Sequence, residues 1–140
     1  MRCSLTRVIT FHALHRYHKP TWSDAENRRR FGWTSEAPGH GHLYRVEVTV
    51  AGPLDPETQM VMDLVELDRV LEEEIAAPLR GRHLGEAVPE FAPGAQLPSC
   101  EAIAVWCAGR IAKRLPAMVM LDRVLVAEDA TLWAECRPPA

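Results

Sequence analysis

A chain of 140 residues with 47% hydrophobic and 25% charged side chains has the balance of a single globular domain that can bury a real core. Its net charge of -3 offers no basic excess for nucleic acid, and no apolar run approaches the length that spans a bilayer. Thr6, Arg7, Thr10 and His12 interrupt the charged-then-apolar layout of a secretory leader, so the expectation is one cytoplasmic domain over 1–140. Cys3, Cys100, Cys107 and Cys136 form no C-x-x-C pair and read as small buried residues rather than a disulfide framework.

Residues 1–15 predict a strand, with Met1, Cys3, Leu5, Ile9, Phe11, Ala13 and His15 on one face and Arg7 breaking the row. Residues 16–38 are polar and irregular, too long for a tight hairpin, and loops of this length are often functional. A second strand spans 40–51, with His40, His42, Tyr44, Val46, Val48 and Val50 on one face; Gly52-Pro53 ends it. Asp63 and Glu66 predict a capping box for a helix whose buried stripe is Leu64, Leu67, Leu71 and Ile75 and which Pro78 stops. Residues 79–98 form a second irregular stretch. Ser99 opens another helix, with Ile103, Trp106, Cys107, Ile111 and Leu115 on its apolar face and Pro116 at its end. Strands over 118–128 and 131–137 close the chain. The order predicts an α+β fold: a four-stranded antiparallel sheet with two helices on one face.

His40-Gly41-His42 is the sharpest chemical signal. Residues two apart on a strand project to the same face, and Gly41 puts no side chain between them. His15 ends the preceding strand on the matching face, so antiparallel pairing brings the three rings together. Three neutral imidazoles suit zinc and leave a fourth position for water or substrate, the layout of a catalytic site. Read alone, the pattern also suits ordinary polar histidines at a strand end.

Phe11-His12-Ala13-Leu14-His15, Gly39-His40-Gly41-His42-Leu43-Tyr44, Met62-Asp63-Leu64, Pro98-Ser99-Cys100-Glu101 and Val126-Ala127-Glu128 occur in that order. Together with Ser23-Asp24-Ala25-Glu26-Asn27 and Phe31-Gly32, they resemble the 6-pyruvoyl-tetrahydropterin synthase / 6-carboxy-tetrahydropterin synthase family over nearly the whole chain. The resemblance implies the tunnel fold, a four-stranded antiparallel sheet with two antiparallel helices. It also implies a homo-oligomer, commonly a hexamer of two stacked trimers whose strands close a barrel, with active sites at subunit interfaces. The implied substrate is a pterin, typically 7,8-dihydroneopterin triphosphate. Zn2+ on His15, His40 and His42 would bind its side-chain hydroxyls and acidify the adjacent C–H bonds. Glu128 matches the family's pterin-anchoring glutamate, suited to accept two N–H bonds from the amino-pyrimidinone edge. Glu101 matches a second pocket glutamate.

Two departures touch proton transfer. The family's usual base is a cysteine in the loop before H-G-H, and residues 32–39 contain none. In the pyruvoyl-type loop length the position falls on Thr34, a poor base; in the carboxy-type length it falls on Glu36. Branches with glutamate in this role cleave the side chain rather than eliminate triphosphate. The family's Asp-His pair aligns with Arg80 and Gly81, leaving His83, two residues on, as a substitute if the loop shifts. Arg80 and Arg82 also suit a phosphate or carboxylate, and Cys100 is a further thiol near the pocket. The expected function is therefore a zinc-dependent carbon–oxygen or carbon–carbon lyase, with Glu36 and His83 moving protons. The alternative is a pterin-binding paralogue that has lost the usual Cys and Asp-His pair and is either non-catalytic or divergent, acting on a different heterocycle. A structural zinc protein fits least, because no fourth protein ligand is apparent.

Overall fold

The structure is a computed structural model and describes residues 1–139. Two fourteen-residue strands, β1 (Arg2–His15) and β2 (His40–Pro53), pair antiparallel in unbroken register from Arg2↔Pro53 to His15↔His40. β3 (Met120–Ala127) pairs with β2, and β4 (Trp133–Cys136) with β3, both antiparallel, giving the spatial order β1-β2-β3-β4. Alternation decides the faces. Phe11, Ala13 and His15 of β1 are buried while His12 and Leu14 between them are exposed. Arg7 faces the helices too, because it forms a two-pronged pair with Asp68, at 2.7 and 2.9 Å.

Two helical runs cover that face. The first begins as α2 (Leu64–Leu71), continues through a π-turn (Glu72–Ala76) and ends as α3 (Ala77–Leu79). Asp63 caps it, accepting from the backbone N–H of Val65 and Glu66. Glu66 does not return the favour: its carboxylate pairs with Arg69, so only half of the expected capping box forms. The second run, α5 (Cys100–Ala112), is capped by the Ser99 hydroxyl, which accepts from Ala102 N–H. The core lies between layers, where Val46, Val48, Val50, Val124 and Val126 of the sheet meet Leu67, Leu71, Ile75, Ile103 and Ile111.

The helix boundaries depart from the sequence reading at Pro78. The first run continues one residue past it. Pro78 has no N–H for the Glu74 carbonyl one turn back, and Arg110 Nε of α5 donates to that oxygen instead at 2.9 Å. The second run stops at Ala112, well before Pro116. Both segments read as irregular hold short helices. Residues 16–38 contain α1 (Asp24–Phe31) followed by a 3-10 turn (Gly32–Ser35). Residues 79–98 contain α4 (Leu84–Ala87) and a second 3-10 turn (Pro89–Phe91). Among the described residues no helix is long and apolar enough to cross a membrane.

Candidate metal centre and active site

The β1–β2 register sets His15 directly opposite His40, with His42 opposite Ala13. The three rings face inward at one end of the sheet, and one nitrogen from each lies within 4.8 Å of the others. The backbone needs Gly39 for this. Gly39 adopts φ 119°, and a Cβ there would collide with the His15 carbonyl oxygen. Gly41 carries no such demand, since a Cβ would find only ordinary contacts, 3.6 Å from Ala13 O and the Leu14 side chain.

His15 is fully buried, and its Nδ1 stands 2.8 Å from the Pro98 carbonyl oxygen. A carbonyl only accepts, so Nδ1 carries the proton and the Nε2 lone pair of the neutral ring is turned toward His42. Burial, then the neighbouring imidazoles, lower the His15 pKa to about 4 against the pull of the Pro98 bond. His40, partly buried beneath Trp33, is lowered in the same direction by burial and by His42. These are the properties a divalent cation needs: unprotonated rings, one tautomer fixed from outside, and donors already gathered.

Glu128 follows β3 and joins the group. Its Oε2 lies 3.2 Å from His42 Nε2 and 3.5 Å from His15 Nε2, is buried, and has no hydrogen-bond donor. Burial raises the Glu128 pKa, and His42 opposes the rise. The turn beyond it is held by the Asp129 carboxylate, which accepts from Thr131 N–H, Thr131 Oγ1 and Leu132 N–H. Tyr44, stacked beside Phe11 on the next rung, buries its hydroxyl, a second polar atom without a hydrogen-bond partner. Outside the trio, an open recess of about 530 Å³ runs between His42, Arg45 and Glu128. On the other side, a cavity of about 450 Å³ lies among Arg16, His18, His83, Phe91 and Pro98.

The model of the 6-pyruvoyl tetrahydropterin synthase family matches residues 4–139. The chain belongs to that family. The 6-pyruvoyl tetrahydrobiopterin synthase of Poecilia reticulata is 44% identical over 113 residues, 81% of this chain and 76% of that protein. The Homo sapiens enzyme of the same name is 40% identical over 121 residues, 85% and 82% of the two chains. The solved Caenorhabditis elegans 6-pyruvoyl tetrahydropterin synthase superposes with a TM-score of 0.89 at 27% identity, covering 99% of this chain and 97% of that one. Enzymes of the 6-pyruvoyl tetrahydropterin synthase family are lyases of pterin synthesis, and this chain has their tunnel fold.

Within that family frame, the proton-transfer residues are arranged differently from the imidazoles. Glu36 is not gathered with them: its side chain is 63% exposed, 3.9 Å from Arg28. Thr34 is engaged, its hydroxyl donating to Phe31 O. Arg80, at the position where the resemblance implies Asp, is held by Glu72 through two bonds of 2.8 Å. Gly81, at the position where the resemblance implies His, adopts φ 70°, a conformation that strains any side chain. Gly81 N–H donates to His12 O, and Leu14 N–H to Arg82 O, so residues 81–83 lie along the end of β1. His83 thereby reaches the site's edge, but both ring nitrogens are engaged. Nδ1 accepts from Gly85 N–H at 3.2 Å, and Nε2 donates to Pro38 O at 2.8 Å. Glu101 is exposed in the first turn of α5. Cys100 beside it is buried, and burial with the nearby Glu128 pushes its thiol up to about 12, so it is no thiolate near neutrality. Sequence reasoning missed the Pro98 carbonyl as partner of His15; nothing in a proline's identity marks its carbonyl as an acceptor.

Proposed function

We propose that this chain is a zinc-dependent lyase that acts on 7,8-dihydroneopterin triphosphate or a closely related pterin. The observation that carries the reading is the meeting of three imidazole donors with a buried carboxylate in a family of pterin-forming lyases. His15, His40 and His42 hold the ion, which when bound serves as a Lewis acid toward the substrate's side-chain hydroxyls. Glu128 anchors the heterocycle by accepting from its amino-pyrimidinone edge, and Glu101 serves as a second glutamate toward the same heterocycle. The Pro98 carbonyl keeps His15 in one tautomer.

Glu36 takes the proton from the substrate side chain. Its loop is tied down two residues later, where Pro38 accepts from His83 Nε2. His83 is thus a positioning residue for that loop, and it passes a proton only by releasing Pro38. We extend the proposal to assembly. The outer edge of β1 beyond the bridge at Leu14 has no strand partner among the described residues, and Leu43 and Trp133 are exposed on the sheet. A hexamer of two trimers joins such edges and covers such side chains.

A second reading is a pterin-binding protein without turnover, favoured by the exposed Glu36 and by Arg80 and Gly81 at the positions of the family's Asp-His pair. Zinc-loaded protein offered 7,8-dihydroneopterin triphosphate separates the two. The lyase reading expects product, with turnover cut at least about a hundredfold in Glu36→Ala. Tight calorimetric binding without product selects the second reading, and no pterin affinity at all rejects both.

A further inference from the structure

Three donor–donor separations around Glu128 carry more than the three-histidine reading uses. Ligands held about 2.0–2.2 Å from one ion at the corners of a tetrahedron stand about 3.3–3.6 Å from each other. The separations here are 3.1 Å between His15 Nε2 and His42 Nε2 and 3.2 Å between His42 Nε2 and Glu128 Oε2, both slightly shorter, and 3.5 Å between His15 Nε2 and Glu128 Oε2. A carboxylate oxygen therefore occupies a corner of the same small figure as two of the imidazoles. The oxygen is buried and lacks any donor. His15 cannot supply one while neutral, because its proton is on Nδ1 against Pro98. The acceptor-only oxygen thus faces the His15 lone pair at 3.5 Å with no hydrogen bond of its own, an arrangement that a cation between them would stabilise.

We infer that Glu128 is the fourth protein ligand of the cation in the substrate-free protein, closing the coordination shell that the three histidines leave open. The inference deepens the proposed function and rests on it, since the same carboxylate is there the anchor of the pterin. One carboxylate cannot do both with the same oxygen. Pterin binding would therefore draw the Glu128 carboxylate onto the heterocycle, which would leave the ion with a free position for a substrate hydroxyl. The site opens only when the molecule that needs it has arrived.

Cobalt(II) is the probe, because its visible absorption reports the number and kind of its ligands. Co2+-loaded wild type, Glu128→Gln and Glu128→Ala are compared for their spectra and for metal affinity by chelator competition. Circular dichroism confirms that each variant is folded. The expected result is a wild-type spectrum unmoved by added azide, and a Glu128→Ala spectrum that shifts with azide as it enters the vacant position. Metal binding weakens in Glu128→Ala by more than the roughly 10–100-fold typical of losing a group that only supports a ligand, and by less in Glu128→Gln, which keeps a neutral oxygen. Adding 7,8-dihydroneopterin to the Co2+-loaded wild type shifts its spectrum as the carboxylate leaves. Identical spectra and affinities for wild type and Glu128→Ala overturn the inference while leaving the three-histidine site standing. A wild-type spectrum unchanged by pterin that calorimetry shows to be bound overturns the exchange. Cobalt affinity that survives His40→Ala and His42→Ala instead rejects the metal site on which the proposed function depends.

Discussion

Gly39 and Gly41 flank one histidine, yet the backbone needs them unequally. Gly39 sits at φ 119° against the His15 carbonyl, whereas Gly41 has room for a methyl group. We expect Gly39→Ala to force the start of β2 off β1 and to lose stoichiometric zinc, while Gly41→Ala keeps it; elemental analysis of both proteins checks this. His15 gives a pH signature in the metal-free protein. Its folded-state pKa of about 4 lies below the ordinary value of 6.5. Between those values the unfolded chain binds a proton that the folded chain refuses. This contribution to stability is therefore intact above pH 6.5 and is lost as pH falls toward 4, by a few kcal/mol in all. Urea unfolding with chelator present, at pH 7 and at pH 4.5, measures the loss, and a similar loss in His15→Gln would assign it elsewhere. At this scale the imidazoles were legible because strand alternation is a strict rule, so H-x-H and a face-matched His15 share one side. Glu128's place beside them was not legible as geometry. It depends on where β3 ends against β2, a register that no local pattern states.

The element that escaped the sequence reading is α1. Its signals were present: Ser23 as N-cap, acidic residues in the first turn, Arg28, Arg29 and Arg30 in the last, and Gly32 after it at φ 63°. What it lacks is an apolar stripe, the signal that carried the other helices. Its one buried residue is Asn27, whose side chain bonds Lys19 N–H and the carbonyls of Lys19, Trp22 and Ser23. Asn27→Ala strands those groups, and we expect a loss of about 1–3 kcal/mol by urea unfolding. The π-turn before Pro78 was equally hidden, because its stabilising partner, Arg110, lies on another helix. Arg110→Leu leaves the Glu74 carbonyl without a donor and should cost about 1.5–3 kcal/mol. In a Pro78→Ala background, where a backbone N–H is restored, the same change should cost less. A double-mutant cycle showing no coupling would sink this account.

At the scale of the molecule, strand order and layering followed from alternating apolar residues and helical stripes, and the structure has that architecture. Assembly did not follow from pattern, since an open strand edge looks the same in sequence as a paired one. Light scattering should find six chain masses, and Leu43→Glu together with Trp133→Glu should lower that number; a monomeric wild type would refute the oligomer. The His83–Pro38 bond has a consequence for how this fold tolerates change. It rivets two loops 45 residues apart in sequence, one leading into His40 and the other lying along Leu14. Insertions should be absorbed where neither loop touches the rivet, around 92–96 or before Trp22. A single added residue between Pro38 and His40, or between Leu79 and His83, would misplace an imidazole. Length variation in this chain is thus confined by one imidazole N–H, and a library of one-residue insertions scored for zinc retention would map that confinement.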